Sequence, residues 1–236
     1  MMKFSTPLVK GKLLKRYKRF LADVELENGD IITAHCANTG SMKTCGSPGD
    51  IVHLSYNPSP KRKLAYSWEY TETKNGYIGI NTMRPNRIVE GAIAEKVIPE
   101  LSCYDSIRRE VKYGESSRID LLLESADKLL PPCYVEIKNV TLKEEQHVAF
   151  PDAVTKRGLK HLQELSAVAK NGERAVLFFL VNRPDADSMC IASQIDPDYA
   201  QGLTDAMASG VEVFAYQVAA SLEGMSISRK LPFHHT

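Results

Sequence analysis

Two short segments set charged groups able to act on a phosphate ester inside apolar runs: Ser117-Arg118-Ile119-Asp120-Leu121-Leu122-Leu123-Glu124 and Cys133-Tyr134-Val135-Glu136-Ile137-Lys138-Asn139-Val140. Each run is apolar enough to be a buried strand. Because side chains alternate between the two faces of a strand, Glu136 and Lys138 point one way and Val135 and Ile137 the other. Two carboxylates on adjacent strands can hold a divalent cation, Mg2+ or Mn2+, against a phosphate, and a nearby ammonium can orient or activate the attacking water. Asp120 and Glu136 are therefore the candidate metal ligands, and Lys138 is the candidate water-positioning group. A Glu-x-Lys pair alone is more often a solvated pair on a half-exposed strand. Asp120 shifts that balance, since an ionised carboxylate among Ile119, Leu121, Leu122 and Leu123 is costly without a cation or donors to face.

The elements that would carry these groups can be traced along the second half of the chain. After Arg84-Pro85, Asn86 can cap a helix over residues 87–98, stopped by Pro99. There follow a strand over 106–113, a turn at Gly114-Glu115, the Asp120 strand, the Glu136 strand, a helix over 151–170 closed by Asn171-Gly172, and a strand over 175–181. An Asp followed by Glu-x-Lys, carried on helix, three strands, helix and strand, resembles the PD-(D/E)XK nucleases. Glu90 shares a helical face with Ile93, Ala94 and Val97 and is a candidate outer or second-metal acid. Lys156, Lys160 and Gln163 line up at helical spacing, and with Arg157 they could position phosphate. A solvated face is the plainer reading of that row.

The first part of the chain has a different texture. Strands are expected over 9–17, 20–26, 31–35, 51–56, 64–70 and 77–80, separated by turn signals such as Asn28-Gly29-Asp30 and Asn75-Gly76. Residues 1–84 carry 13 Lys or Arg against 7 Asp or Glu, whereas the remainder carries 17 against 22. Lys10, Lys12, Lys15, Arg16, Lys18 and Arg19 face no acid within the first 20 residues, and Lys61, Arg62 and Lys63 form a second cluster. With Tyr17, Phe20, Tyr56, Tyr66, Trp68 and Tyr70 interleaved, this reads as an OB-like barrel whose cations and rings bind nucleic acid, DNA with exposed bases or branches included. The alternative is that the rings fill the barrel and the cations solubilise it.

With 236 residues and 43% hydrophobic content the chain can bury a real core. The expected organisation is α+β with two domains, an OB-like barrel over 1–84 and a nuclease-like domain with a central mixed sheet over 85–236. No apolar run reaches the length of a membrane span, the longest being 175–181, and no signal-like stretch opens the chain, so a cytoplasmic protein without a membrane partner is expected. Five cysteines without any C-x-x-C spacing suggest neither a disulfide framework nor a zinc ribbon, and His35, Cys36, Cys45 and His53 match no structural zinc pattern. Oligomeric state is left open, a homodimer included.

Longer stretches carry a further resemblance. His35-Cys36-Ala37-Asn38-Thr39-Gly40-Ser41-Met42, the Asp120 and Glu136 runs, Phe150-Pro151-Asp152-Ala153-Val154-Thr155-Lys156-Arg157-Gly158-Leu159-Lys160-His161-Leu162 and Gly210-Val211-Glu212-Val213-Phe214-Ala215-Tyr216 make the chain similar to the sugar fermentation stimulation protein A family. The resemblance implies an OB-like domain, a PD-(D/E)XK-like domain, DNA binding of low sequence preference and a loose link to maltose utilisation, without implying a proven cleavage reaction. Ala37 and Ser193 depart from the family pattern, in loops. The family has been read as ending in a helix-turn-helix, here at 201–220, but the alternating, β-branched and aromatic run 210–216 reads as a strand. A metal-dependent DNA phosphodiesterase is the leading reading. A non-enzymatic DNA-binding regulator on the same scaffold is the second, and a small-molecule phosphoesterase, disfavoured by the basic barrel, the third.

Overall fold

Phe178 and Phe179 are adjacent in sequence, both fully buried, and lie in different cores. A strand buried on both faces sends alternate side chains into opposite layers, and a near-continuous apolar run is its signature. The computed structural model describes residues 1–114, 117–127, 129–145 and 147–235; Glu115, half of the expected turn at Gly114-Glu115, lies outside them. Its strands are β1 (Met2–Lys3), β2 (Val9–Tyr17), β3 (Leu21–Leu26), β4 (Ile31–His35), β5 (Ile51–Tyr56), β6 (Tyr66–Thr73), β7 (Gly76–Gly79), β8 (Ser106–Tyr113), β9 (Ser117–Glu124), β10 (Cys133–Val140), β11 (Leu142–Glu144), β12 (His147–Phe150), β13 (Arg174–Val181), β14 (Ser188–Ile191), β15 (Glu212–Ala220), β16 (Gly224–Lys230) and β17 (Phe233–His234). Its helices are α1 (Pro85–Ala94), α2 (Lys156–Lys170) and α3 (Pro197–Ala208).

The architecture is α+β, as expected. Strands β2 to β6 form a mainly antiparallel sheet that closes through a short parallel pairing of β4 with β6, and β7 extends it along β6. Leu13, Val24, Val52, Leu54, Trp68 and Ile78 fill this OB barrel. The second half is built on a seven-stranded sheet in the order β1-β16-β15-β13-β10-β9-β8, with β10, β13 and β15 parallel. Helix α1 buries Ile88, Val89, Ala92 and Ile93 against one face, with Leu121, Val135 and Phe178. Helix α2 covers the other face through Leu162, Leu165 and Val168, with α3 packed beside it. Sheet β11-β12-β14-β17 is hydrogen-bonded separately but packs Val148, Met189 and Ile191 into the α2-side core.

Several sequence expectations are corrected. Helix α1 begins at Pro85, ends at Ala94, and has no side-chain cap; Asn86 lies inside its first turn and is free to bond elsewhere. Residues 99–101 form a separate 3-10 turn. Helix α2 starts at Lys156 rather than near 151, because Thr155 caps it by accepting the Gly158 N–H at 3.0 Å. By contrast, the strand expected at 210–216 in place of a helix-turn-helix is present: α3 is followed by β15, which runs parallel to β13. Met2 and Lys3 leave the barrel and pair with Met225 and Gly224 of the larger sheet. Trp68 and Tyr70 are fully buried and unavailable for stacking on bases; Tyr70 packs in the α1-side core and donates its hydroxyl to the Gly224 carbonyl.

Candidate phosphodiester site

The β9–β10 ladder pairs Leu123 with Cys133, Leu122 with Tyr134 and Leu121 with Val135, and there it stops. The next pair in that register would set Asp120 opposite Glu136. Instead the strands part, and the Asp120 carboxylate takes the place of a backbone acceptor: its Oδ2 accepts the Ile137 N–H at 2.7 Å. Its Oδ1 accepts from Asn86 Nδ2 at 2.9 Å, which is where the supposed cap residue directs its side chain. Burial, and then the Glu136 charge, push the Asp120 carboxyl up to about 6 against these donors.

Glu136 is 3% exposed. Lys138 Nζ donates to its Oε1 at 2.7 Å, and His161 Nδ1 meets the same oxygen. Arg157 Nε donates to His161 Nε2 at 3.3 Å, and Lys138 Nζ lies 3.3 Å from His161 Nδ1, the nitrogen facing Glu136. Burial alone would raise the Glu136 carboxyl; the His161 hydrogen bond, together with the Lys138 charge, outweighs it and holds the group below its ordinary value. Glu136 Oε2 is buried with no hydrogen-bond partner.

Tyr113 and Glu164 border the same space. The Tyr113 phenol is raised by burial and then by Glu136, Glu164 and Asp120, and its hydroxyl and both Glu164 oxygens are buried without hydrogen bonds. Acceptors therefore outnumber donors here, a balance that a bound cation or water would correct. Among the described residues no three His, Cys, Asp or Glu side chains form a ready-made metal centre. The donor set fits a hard cation held by two carboxylates that keeps several of its own waters.

The structure thus brings Asp120, Glu136 and Lys138 together, and adds His161 and Asn86. Sequence reasoning missed His161, although a titratable ring on the apolar stripe of Leu162, Leu165 and Val168 is a readable signal. Glu90 lies on α1 one helical turn beyond Asn86, the residue that bonds Asp120. The buried face of α1 excludes Ala94 and Val97, and Glu90 lies half-exposed at its flank, bound by both Arg109 Nε, at 2.7 Å, and Arg109 Nη2.

The basic candidates divide as well. Lys10, Lys12, Lys18, Arg19, Lys61, Arg62, Lys63, Lys156 and Arg157 are exposed. Lys15 pairs with Asp23 at 3.3 Å, and Lys160 lies 3.8 Å from Glu164. Arg16 is a brace inside the fold, its Nη2 donating to the carbonyls of Arg19, Asn38 and Gly40. No helix among the described residues is long and apolar enough to cross a membrane.

A family model described as the sugar fermentation stimulation protein RE domain matches residues 83–224, and one described as the SfsA N-terminal OB domain matches residues 14–80. A sugar fermentation stimulation protein homolog of Geotalea uraniireducens is 52% identical over 98% of both chains, and that of Geotalea daltonii is 53% identical over 96% of both. A solved structure described as Pyrococcus furiosus SfsA in complex with Ca2+ superposes with a TM-score of 0.89 at 29% identity, covering 99% of this chain and 98% of that one.

Proposed function

The chain belongs to the sugar fermentation stimulation protein family, and from that premise we propose that it is a DNA-binding protein of low sequence specificity whose second half cleaves phosphodiesters with a divalent cation. The observation that carries the proposal is the meeting of Asp120, buried Glu136 and Lys138 where β9 and β10 part. The Ca2+ complex of the Pyrococcus relative supports a cation on this scaffold. Asp120 and Glu136 would hold it, Mg2+ or Mn2+ in the working protein. Bound there, the cation would polarise a phosphoryl oxygen and acidify an attacking water.

The surrounding residues prepare that arrangement. Asn86 and the Ile137 N–H fix the orientation of Asp120. Lys138 and His161 occupy Glu136 Oε1, which leaves Oε2 to face a cation. Lys138, tethered by Glu136, keeps an ammonium beside the place where phosphate charge develops. Exposed cations without a carboxylate partner, Arg62 of the barrel among them, supply affinity for the polyanion.

The test is cleavage of labelled single-stranded, branched and duplex DNA with Mg2+ or Mn2+. The intact protein should cut at least one of them and gain thermal stability from the cation; Glu136→Gln should do neither. DNA binding without any cleavage would leave the non-enzymatic regulator as the better reading.

A further inference from the structure

A groove of about 740 Å³ runs between the barrel and the start of α1, and none of its lining residues is acidic. Lys3 from β1, Arg62 from the barrel and Arg87 from the first turn of α1 contribute cations, and Tyr56 contributes an exposed ring. Arg62 Nη2 donates to Ser67 Oγ at 2.8 Å, and among the described residues neither Lys3, Arg62 nor Arg87 has a carboxylate partner. A cation without a nearby acid keeps its field for a ligand, and a groove concentrates that field.

The groove floor is built rather than accidental. Beneath it the carboxylate of Glu69, 1% exposed, accepts from Ser55 Oγ, Asn81 Nδ2 and both Nε and Nη2 of Arg84. Arg84 is thereby neutralised and held in the wall, while the three other cations stay uncompensated. Tyr56 is 44% exposed and braced from behind by Tyr66, with ring centroids 4.8 Å apart. An aromatic platform beside acid-free cations is what a single strand requires, since its bases are unpaired and its phosphates continuous.

The groove shares α1 with the site around Asp120. Arg87 in its wall follows Asn86, whose side chain holds Asp120. We infer that this groove, rather than the outer face of β2, is the track along which single-stranded nucleic acid reaches Asp120, with Lys3, Arg62 and Arg87 on phosphates and Tyr56 under a base. The inference rests on the nuclease reading for its direction, but it concerns binding, which is measurable without cleavage.

The test is fluorescence anisotropy of a labelled single-stranded oligonucleotide with the full chain in EDTA, across a salt series. Arg62→Gln with Arg87→Gln should weaken binding about tenfold or more and lower the salt slope by about 1.4. Tyr56→Ala should cost about tenfold on the single strand and much less on a duplex, with Tyr56→Phe restoring it. Lys10→Gln with Lys12→Gln, on the outer face of β2, should change binding far less. Groove variants that keep parental affinity and salt slope, or a Lys10 and Lys12 pair that loses as much, would overturn the inference, as would a parent that ignores single strands. Groove-dependent binding by a protein that cuts nothing would instead sink the nuclease reading and spare the groove; cleavage unaffected by the groove variants would do the reverse.

Discussion

Asp120 accepts two hydrogen bonds and still holds its proton up to about pH 6, because burial and the Glu136 charge outweigh those donors. Its folded value lies above the ordinary 3.8, so between those limits the folded chain keeps a proton that the unfolded chain has lost. In the metal-free protein this contribution to stability is full below about pH 4, falls as pH rises, and levels off above about 6. Glu136 has the opposite sign, its contribution present above the ordinary carboxylate range and lost as pH falls. Asp120→Asn should therefore raise the metal-free melting temperature by about 5 °C at pH 7.5 and hardly change it at pH 4, as read by thermal denaturation. No gain at pH 7.5 would mean that the donors win. At this scale Asp120, Glu136 and Lys138 were legible, since a charge inside an apolar run is visible in one dimension. His161 was legible only as a titratable ring on an apolar stripe; its partner exists only once α2 crosses β10 and sets the ring against Glu136.

Helix α2 carries His161, and its start is fixed by Thr155, whose N–H is in turn accepted by Asp196 Oδ2 at 2.7 Å. Thr155→Ala removes the cap and should cost about 1 kcal/mol, lowering the melting temperature by roughly 2–4 °C in a chain of this size. An unchanged melting temperature would show the first turn to be held by packing alone. The expected start at 151 came too early: residues 151–155 are not helical, and the helix opens only where Thr155 supplies the acceptor. Asn86 was misread in the opposite direction: capping chemistry fits its type, yet Asp120 is the partner the fold provides. Strand interiors such as β2, β4, β5 and β8 matched their sequence limits because turn residues or charged ends bound them. Helix ends depended on contacts with distant segments.

On the scale of the molecule, the barrel and the larger sheet are fastened to each other. Ser41 N–H, from a barrel loop, donates to Asp152 Oδ2 at 2.8 Å, and Arg183 Nη1 donates to the Thr44 carbonyl at 3.0 Å. The Met2–Lys3 strand crosses to the other sheet, a pairing that two residues of sequence could not signal. The charge imbalance was legible early, but where it is free to act was not: Arg16 and Arg84 are consumed by the fold, whereas Arg87, from the acidic half, lines the groove. Binding is thus assigned to cations around the barrel, and chemistry to the parted strands β9 and β10. The most direct measurement is single-turnover cleavage of a labelled DNA by saturating protein with Mn2+, run beside its binding isotherm. We expect the intact protein to cut, and Asp120→Ala and Lys138→Ala to bind with nearly parental affinity while cleavage falls at least a hundredfold, on the order expected when a group acting on the transition state is lost. A parent that binds DNA and Mn2+ yet leaves single-stranded, branched and duplex substrates intact, or an Asp120→Ala protein that cuts at the parental rate, would contradict the assignment.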